Sequence, residues 1–292
     1  MIRLLDKKSE QEAFFNQLAI RGNLDTSDYA KQTHKIVEDV KMRGDEALFE
    51  YTNKWDHPDI QPSNVKISKE AMKEAFDSLS PKLKQAMTVS YNRIRLFHEK
   101  QKQNSWLDMK ENGEMLGQRI TPLQCVGVYV PGGKAAYPST VLMNVVPAKV
   151  AGVRKVVMVS PVSSAVNGEG KVPQEVLAAA YLAKVDAFYT IGGAQAITAL
   201  AFGTRTIPKV DKIVGPGNIY VALAKREVYG YVSIDSVAGP SEILIIADDT
   251  AHPTYIAADL LSQAEHDELA SSILITSSRS LALKVQQEVE RL

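Results

Sequence analysis

The sequence predicts an α/β fold, in which parallel sheets with covering helices follow a helical leader at the N-terminal end. From Thr121 onward, short β-branched apolar runs alternate with helical segments, which is the arrangement of βαβ units. These runs are continuously apolar, as expected for strands that are buried on both faces. The first 110 residues are charged and helical in pattern. The length of 292 residues favours about two domains.

The leader is predicted to contain three helical stretches. Residues 29–55 form the first, which Gly44 breaks, and Asp45 is expected to be the N-cap of the part that follows. Residues 68–79 form the second. The third begins at Ser80-Pro81, because proline suits the first turn of a helix, and extends to about Lys102. We interpret its basic, polar face as a solvated surface.

The region after the leader alternates strands with helices. Its predicted strands are residues 125–130, 155–160, 187–191, 212–214, 243–247 and 273–276. Its predicted helices are residues 139–151, 174–184, 194–201, 219–228 and 253–268, and residues 281–292 continue the helical pattern. The sequence contains no fixed short repeat and no low-complexity segment.

Composition excludes several classes of protein. With 45% hydrophobic and 23% charged residues, the chain has the content of a globular protein with a sizeable core. Its 34 basic and 34 acidic residues balance, so neither nucleic acid nor a membrane is predicted as a partner. The single cysteine, Cys125, cannot form an intrachain disulfide, and the sequence shows neither a signal peptide nor a transmembrane run. We therefore predict a cytoplasmic protein.

Three glycine-rich turns follow predicted strands at the carboxyl edge of the sheet, where open parallel sheets bind ligands. They are Pro131-Gly132-Gly133, Gly192-Gly193 and Gly215-Pro216-Gly217. Each leads into a helix, so we expect free backbone N–H groups and a helix dipole that suit a phosphate-bearing ligand. Glycine also serves tight turns that bind nothing, and neither GxGxxG nor GxxxxGK[ST] occurs. A dinucleotide would therefore bind here in a non-standard way.

Three polar side chains lie beside these turns. Tyr129 closes the first strand, where its ring either flanks a nicotinamide or adenine ring or belongs to the core. Asn218 suits a helix N-cap, and capping alone would explain it. Gln195 is a weaker cap, which leaves more room for a role in ligand binding.

A possible metal pair lies near the end of the predicted helix 253–268. Gln263 and His266 are three residues apart and would share a helix face, with acidic neighbours that either orient the imidazole or are solvated. Two ligands do not complete a catalytic zinc site, which normally takes at least three protein groups. Ser241 stands outside any GxSxG motif, so we interpret it as a hydrogen-bonding group of a crevice rather than a nucleophile.

Five stretches of the sequence are recognisable when they are taken together. They read, in order, GVYVPGGKAAYPSTVLMNVVPAKVAGV, IGGAQAITALAFGT, VDKIVGPGNIYVALAK, AGPSEILIIAD and LLSQAEHD. In combination they closely resemble the histidinol dehydrogenase family, and GDEALFEYTNKWD resembles its helical leader. The resemblance extends from about Asp28 to the end of the chain. It implies an NAD- and zinc-dependent oxidation of L-histidinol to L-histidine, through a bound aldehyde, in histidine biosynthesis.

The same resemblance implies a domain arrangement and a set of site residues. Two incomplete Rossmann-like domains are expected, one formed by residues 1–128 with 239–292 and the other, inserted in it, by residues 129–238. The implied NAD contacts are Tyr129, Gln195 and Asn218. The implied substrate contacts are Ser241, Gln263 and His266, and the last two are also the implied zinc ligands.

The family places its catalytic base and its remaining zinc ligands further along, beyond Leu292. We therefore expect no catalytic residue within this chain, and we expect a truncated chain with negligible turnover. The complete protein is expected to be a homodimer, and the oligomeric state of this chain is left open. Two alternatives also stay open: a catalytically inactive binding or interaction protein, and a dehydrogenase of a different alcohol on the same scaffold.

Overall fold

A computed structural model describes residues 2–21, 27–132, 136–162, 171–237, 242–265 and 270–292. The chain forms two compact units. The central unit is Ser27–Val237, and the terminal unit combines Met1–Thr26 with Ala238–Leu292. The predicted domain boundaries, residues 1–128 with 239–292 and residues 129–238, stay a prediction.

The central unit is built on a six-stranded sheet. Its strands, in spatial order, are β1 (Lys66–Ile67), β6 (Ala187–Tyr189), β5 (Lys155–Val159), β4 (Cys125–Tyr129), β7 (Lys212–Val214) and β8 (Ser233–Ile234). All neighbours are parallel except β1 and β6. The chain thus runs outward from β4 to β6 and then returns to the other side of β4. Such a reversal opens a crevice at the carboxyl ends of the strands.

The helices of the central unit form two groups. Helices α4 (Lys69–Asp77), α5 (Pro81–Glu99), α6 (Pro138–Val150) and α7 (Gln174–Leu182) pack among themselves. Helices α2 (Ser27–Arg43), α3 (Asp45–Trp55), α8 (Gly193–Phe202) and α9 (Ile219–Val228) form the second group. Residues of β4, β5 and β6 are almost entirely buried, so the two groups cover both faces of the sheet, as the continuous apolar runs predicted.

The leader helices belong to the central unit because side chains and strand pairing tie them to its sheet. Strand β1 pairs with β6, and Thr190 donates from its N–H and its hydroxyl to the carbonyl of Val65, at 2.8 and 3.1 Å. These bonds join β1 and Val65 to the edge of the central sheet. Ser68 and Ser80 cap α4 and α5, which confirms the predicted starts of these helices.

The prediction that Asp45 caps α3 is wrong. Gly44, at φ 61°, is the N-cap, and Asp45 is the first residue of the helix. The buried Asp45 carboxylate instead accepts bonds from the N–H and the hydroxyl of Thr206, at 3.3 and 2.8 Å. The carboxylate faces the loop that follows α8 and not the amides of α3. It therefore links the start of α3 to this loop.

A separate antiparallel hairpin, β2 (Trp106–Met109) with β3 (Met115–Gln118), was not predicted. Every residue of both strands is exposed. The sequence therefore carries no alternation between apolar and polar residues, which is the signal that identifies a half-buried strand.

The terminal unit contains a two-stranded parallel sheet, β9 (Glu242–Ala247) and β10 (Ser271–Thr276), with helices α1 (Lys8–Arg21), α10 (Pro253–Ala264) and α11 (Arg279–Arg291). Ile243 and Ile245 pack against a core formed with α10 and α11. Leu244 and Ile246 face away from it and are 55% and 77% exposed. The prediction that this strand is buried on both faces is therefore wrong, because helices cover only one face within the described residues. None of the described helices is both long and apolar enough to cross a bilayer.

Candidate functional site

Four strand ends meet at the carboxyl edge of the central sheet. A Cβ placed on Gly192 would lie 2.5 Å from the Cβ of Pro161, and one on Gly132 would lie 2.7 Å from the carbonyl oxygen of Pro161. A Cβ on Gly215 would lie 2.1 Å from the carbonyl oxygen of Tyr129. Only a hydrogen atom fits these contacts. The glycines therefore allow the turns after β4, β5, β6 and β7 to pack against each other.

The expectation that the amides of these turns are free is wrong at Gly192 and Gly193. The Gly192 N–H donates to the Asp56 carboxylate at 3.0 Å, and the Gly193 N–H donates to the hydroxyl oxygen of Tyr129 at 3.2 Å. Buried amides require partners, and here side chains of two other elements supply them. Gly133 lies outside the described residues.

A buried ion pair fixes the turn after β7. The Lys225 ammonium, whose side chain is only 4% exposed, pairs with Asp235 and donates to the carbonyl of Gly215 at 3.0 Å. The Gly215 N–H in turn donates to Asp235 at 2.8 Å, so this amide is not free either. A sequence signal for this pair exists within helix α9. Lys225 lies on the apolar side of the helix, with Val221 and Ala222 one turn before it, which is unusual for a lysine.

Tyr129 presents a hydrogen-bond donor at this edge. Its side chain is buried in the core, as one of the two interpretations predicted. Burial raises the pKa of the Tyr129 phenol well above its usual range, the bond from Gly193 opposes this, and the Asp56 charge adds to the rise. The phenol therefore keeps its proton at neutral pH. Its oxygen accepts from Gly193, and its hydrogen has no acceptor among the described residues.

Gln195 presents a second donor beside the same turn. The residue is 1% exposed, and its Nε2 has no hydrogen-bond partner in the described part of the chain. Its Oε1 lies 2.5 Å from the position that a Cβ on Gly193 would take, so the amide folds over Gly193. An unpaired buried donor is costly, and one in a native structure calls for an explanation such as a missing ligand.

Asp56 is the site residue that sequence analysis missed. It stands at the C-cap of α3, and burial raises the pKa of its carboxyl to about 6, against the bond from Gly192, which lowers it. A signal was available, because an acid at the C-terminal end of a helix is unfavourable to the helix dipole. The leader is rich in charged residues, however, and its charged pattern is typical of a solvated surface, so this one acid does not stand out.

Asn218 is the N-cap of α9. Its side-chain oxygen accepts from the N–H of Val221 at 3.2 Å. The capping interpretation is therefore confirmed, and this oxygen is already engaged.

The residues implied for substrate and zinc are described only in part. Ser241 and His266 lie outside the described residues. Helix α10 ends at Ala264 and so contains Gln263. The Gln263 Nε2 is buried without a partner in the described ranges. Those ranges contain no group of three His, Cys, Asp or Glu residues arranged to hold a metal.

Comparison with known proteins identifies the family. The family model described as histidinol dehydrogenase matches residues 19–292. The chain belongs to the histidinol dehydrogenase family. It is 55% identical over 275 residues to the histidinol dehydrogenase of Aquifex aeolicus, covering 94% of this chain and 62% of that protein. It is 52% identical over 292 residues to that of Caldanaerobacter subterraneus subsp. tengcongensis, covering 100% of this chain and 66% of that protein.

A solved histidinol dehydrogenase is also similar. The crystal structure of the enzyme from Elizabethkingia anophelis matches with a TM-score of 0.79 at 37% identity, over 89% of this chain and 59% of that chain. The family assignment confirms the resemblance carried by the five sequence stretches. The chain spans less than two thirds of the length of these histidinol dehydrogenases.

Proposed function

We propose that this chain provides the NAD site of an NAD- and zinc-dependent oxidation of L-histidinol to L-histidine. The observation that carries the proposal is the pair of donors without acceptors beside Gly193: the buried Nε2 of Gln195 and the hydroxyl hydrogen of Tyr129. Both donors are uncharged. Both lie at the carboxyl edge of the sheet, where the strand order reverses at β4. Family membership supplies the reaction class.

The described residues fit a dinucleotide. Carboxamide, ribose and phosphate oxygens are acceptors, which is what two unpaired donors require. When bound, NAD accepts the hydride that leaves the alcohol. The roles of this chain are to hold the Gly192–Gly193 turn, to keep Tyr129 protonated, and to present both donors in fixed positions.

The strand order supports a Rossmann-like assignment. Numbered along the chain from β4, the parallel strands run 3-2-1-4-5 across the sheet, which is the order of a Rossmann domain that lacks its sixth strand. The terminal unit is formed from two segments that flank the central unit in sequence. This supports an inserted arrangement, with β9 and β10 as part of the outer, incomplete domain.

The zinc and substrate assignments rest on the family resemblance. We propose Gln263 and His266 as two zinc ligands and, with Ser241, as substrate contacts. The described residues by themselves do not form a zinc site, so we derive no step through the metal. The homodimer and the cytoplasmic location stay predictions.

Formation of NADH tests the proposed reaction. The chain is mixed with NAD, zinc and L-histidinol, and NADH absorbance is followed, with a simple primary alcohol as the matched control substrate. NADH formed from L-histidinol alone supports the assignment. Because negligible turnover is expected of this chain, saturable binding of NAD without NADH still supports the proposed NAD site. No binding of NAD contradicts that site, and NADH formed only from the other alcohol contradicts the substrate assignment.

A further inference from the structure

Asp56 stands apart from ordinary surface acids of this chain. Its carboxylate comes from α3, outside the sheet, and reaches the Gly192 amide 136 positions further along. Burial raises its pKa to about 6. No Lys or Arg within the described ranges pairs with it, unlike Asp39, Asp45 and Asp77. Within the described ranges, the Gly192 N–H is the hydrogen-bond donor to this part-buried carboxylate.

The turn that Asp56 holds has little rigidity of its own. Two successive glycines populate a wide range of backbone conformations, and Gly193 lies at φ 63°. In this structure the first amide is bonded to Asp56 and the second to Tyr129. A bond to an ionised carboxylate is about twice as strong as a bond to a neutral oxygen. Of the two anchors, Asp56 is therefore the stronger.

Both unpaired donors depend on this turn. The Gln195 amide folds over Gly193, and the Tyr129 oxygen accepts from the amide of Gly193. We propose that Asp56 is a positioning residue of the candidate dinucleotide site, which fixes the Gly192–Gly193 turn and thereby the donors of Tyr129 and Gln195. This rests on the proposed NAD site. Asp56 acts through the turn and is not assigned any contact with the cofactor.

Three variants separate positioning from general stability. Asp56→Ala removes the acceptor, and Asp56→Asn removes the charge but keeps an acceptor oxygen for the Gly192 amide. Asp59→Asn is the matched control, because Asp59 is only three residues away and its side chain is 85% exposed. Each protein is the 292-residue chain, and circular dichroism first establishes that it is folded.

Two measurements are made on each variant. Hydrogen exchange followed by mass spectrometry, without cofactor, reports the protection of the peptide that contains Gly192 and Gly193. Calorimetric titration reports the affinity for NAD. We expect Asp56→Ala to raise exchange at the turn and to weaken NAD binding by about tenfold or more. We expect Asp56→Asn, which keeps a neutral acceptor, to fall between the wild type and Asp56→Ala in both measurements, and Asp59→Asn to change neither.

The outcomes distinguish this inference from the proposed function. Wild-type exchange at the turn in Asp56→Ala overturns the inference, and so does an Asp56→Asn variant that behaves like Asp56→Ala. If the wild-type chain does not bind NAD, the proposed function fails. Hydrogen exchange still decides whether Asp56 fixes the Gly192–Gly193 turn. If Asp56→Ala is unfolded, Asp56→Glu replaces it. That variant keeps the charge but misplaces the acceptor, so exchange at the turn equal to that of the wild type overturns the inference.

Discussion

The side-chain oxygen of Gln195 occupies the space that a side chain on Gly193 would need. The Oε1 atom lies 2.5 Å from the position of a Cβ on Gly193, which itself adopts φ 63°. The glycine therefore has two roles: it permits the left-handed backbone of the turn, and it leaves room for the buried amide that carries an unpaired donor.

Replacement of Gly193 by alanine is expected to separate these two roles. Gly44 is a matched control, since it lies at φ 61° and a Cβ placed on it would have no atom within 4 Å. Both Gly193→Ala and Gly44→Ala should lower the free energy of unfolding by about 1–3 kcal/mol, because both place a Cβ on a backbone of positive φ. Only Gly193→Ala should displace Gln195 and weaken NAD binding, by about tenfold. Urea unfolding measures the stability of both variants, and calorimetric titration measures their affinity for NAD. Equal NAD affinity in both variants would contradict the role of Gln195.

The pair of Lys225 and Asp235 is expected to be a large contributor to the stability of the central unit. Asp235→Ala leaves the buried Lys225 ammonium without its counter-charge and the Gly215 amide without its acceptor. Because the Asp235 side chain is 33% exposed, we expect a loss of about 2 kcal/mol or more, below the full cost of a broken buried pair. Asp77→Ala, in the exposed pair with Lys73, is the control and should change little. Urea unfolding measures both, and similar losses would refute the argument.

The stability of the chain should depend on pH through Asp56. Its pKa is raised from 3.8 to about 6 in the folded protein, so the folded state holds this proton more tightly than the unfolded state. Below about pH 4 both states are protonated and the group costs nothing. Between about pH 4 and 6 the unfolded state loses the proton first, so the contribution of Asp56 to stability falls as pH rises. Above about pH 6 the penalty is constant.

Asp56→Asn removes this titration. Relative to the wild type, the variant should therefore gain stability between about pH 4 and 6, by on the order of 2 kcal/mol, and gain no more at higher pH. Urea unfolding of both proteins at a series of pH values gives the difference directly. A difference that is the same at every pH would show that the Asp56 pKa is not raised by folding.

Most of the central sheet was predictable from sequence. Strand β7 and helix α9 were predicted to the residue, and β4, β5 and β6 within one or two residues, because buried parallel strands are continuous apolar runs between turn signals. The two-residue strands β1 and β8 are too short to show a pattern. The exposed face of β9 was missed because an apolar run does not show which of its faces a helix covers.

The candidate site was predictable only where its residues follow strand ends. Tyr129 and Gln195 were predicted in this way, and their role in binding NAD stays a prediction. Asp56, Lys225 and Asp235 were not, because each acts through a contact with a turn that lies elsewhere in the chain. Sequence spacing cannot place the end of α3 beside the turn after β6. The folded sheet does so.

The central claim is that NAD binds beside Gly193 and uses the unpaired amide of Gln195. Calorimetric titration of NAD into the wild-type chain and Gln195→Met, which keeps the size of the side chain and removes the donor, tests it most directly. Gln174→Met on α7 is the control, since the Gln174 amide bonds to the Ala75 carbonyl and not to the Gly192–Gly193 turn. We predict saturable binding by the wild type and the control, and binding at least about tenfold weaker by Gln195→Met. Equal affinity in all three proteins, or no saturable binding by the wild type, would contradict the account.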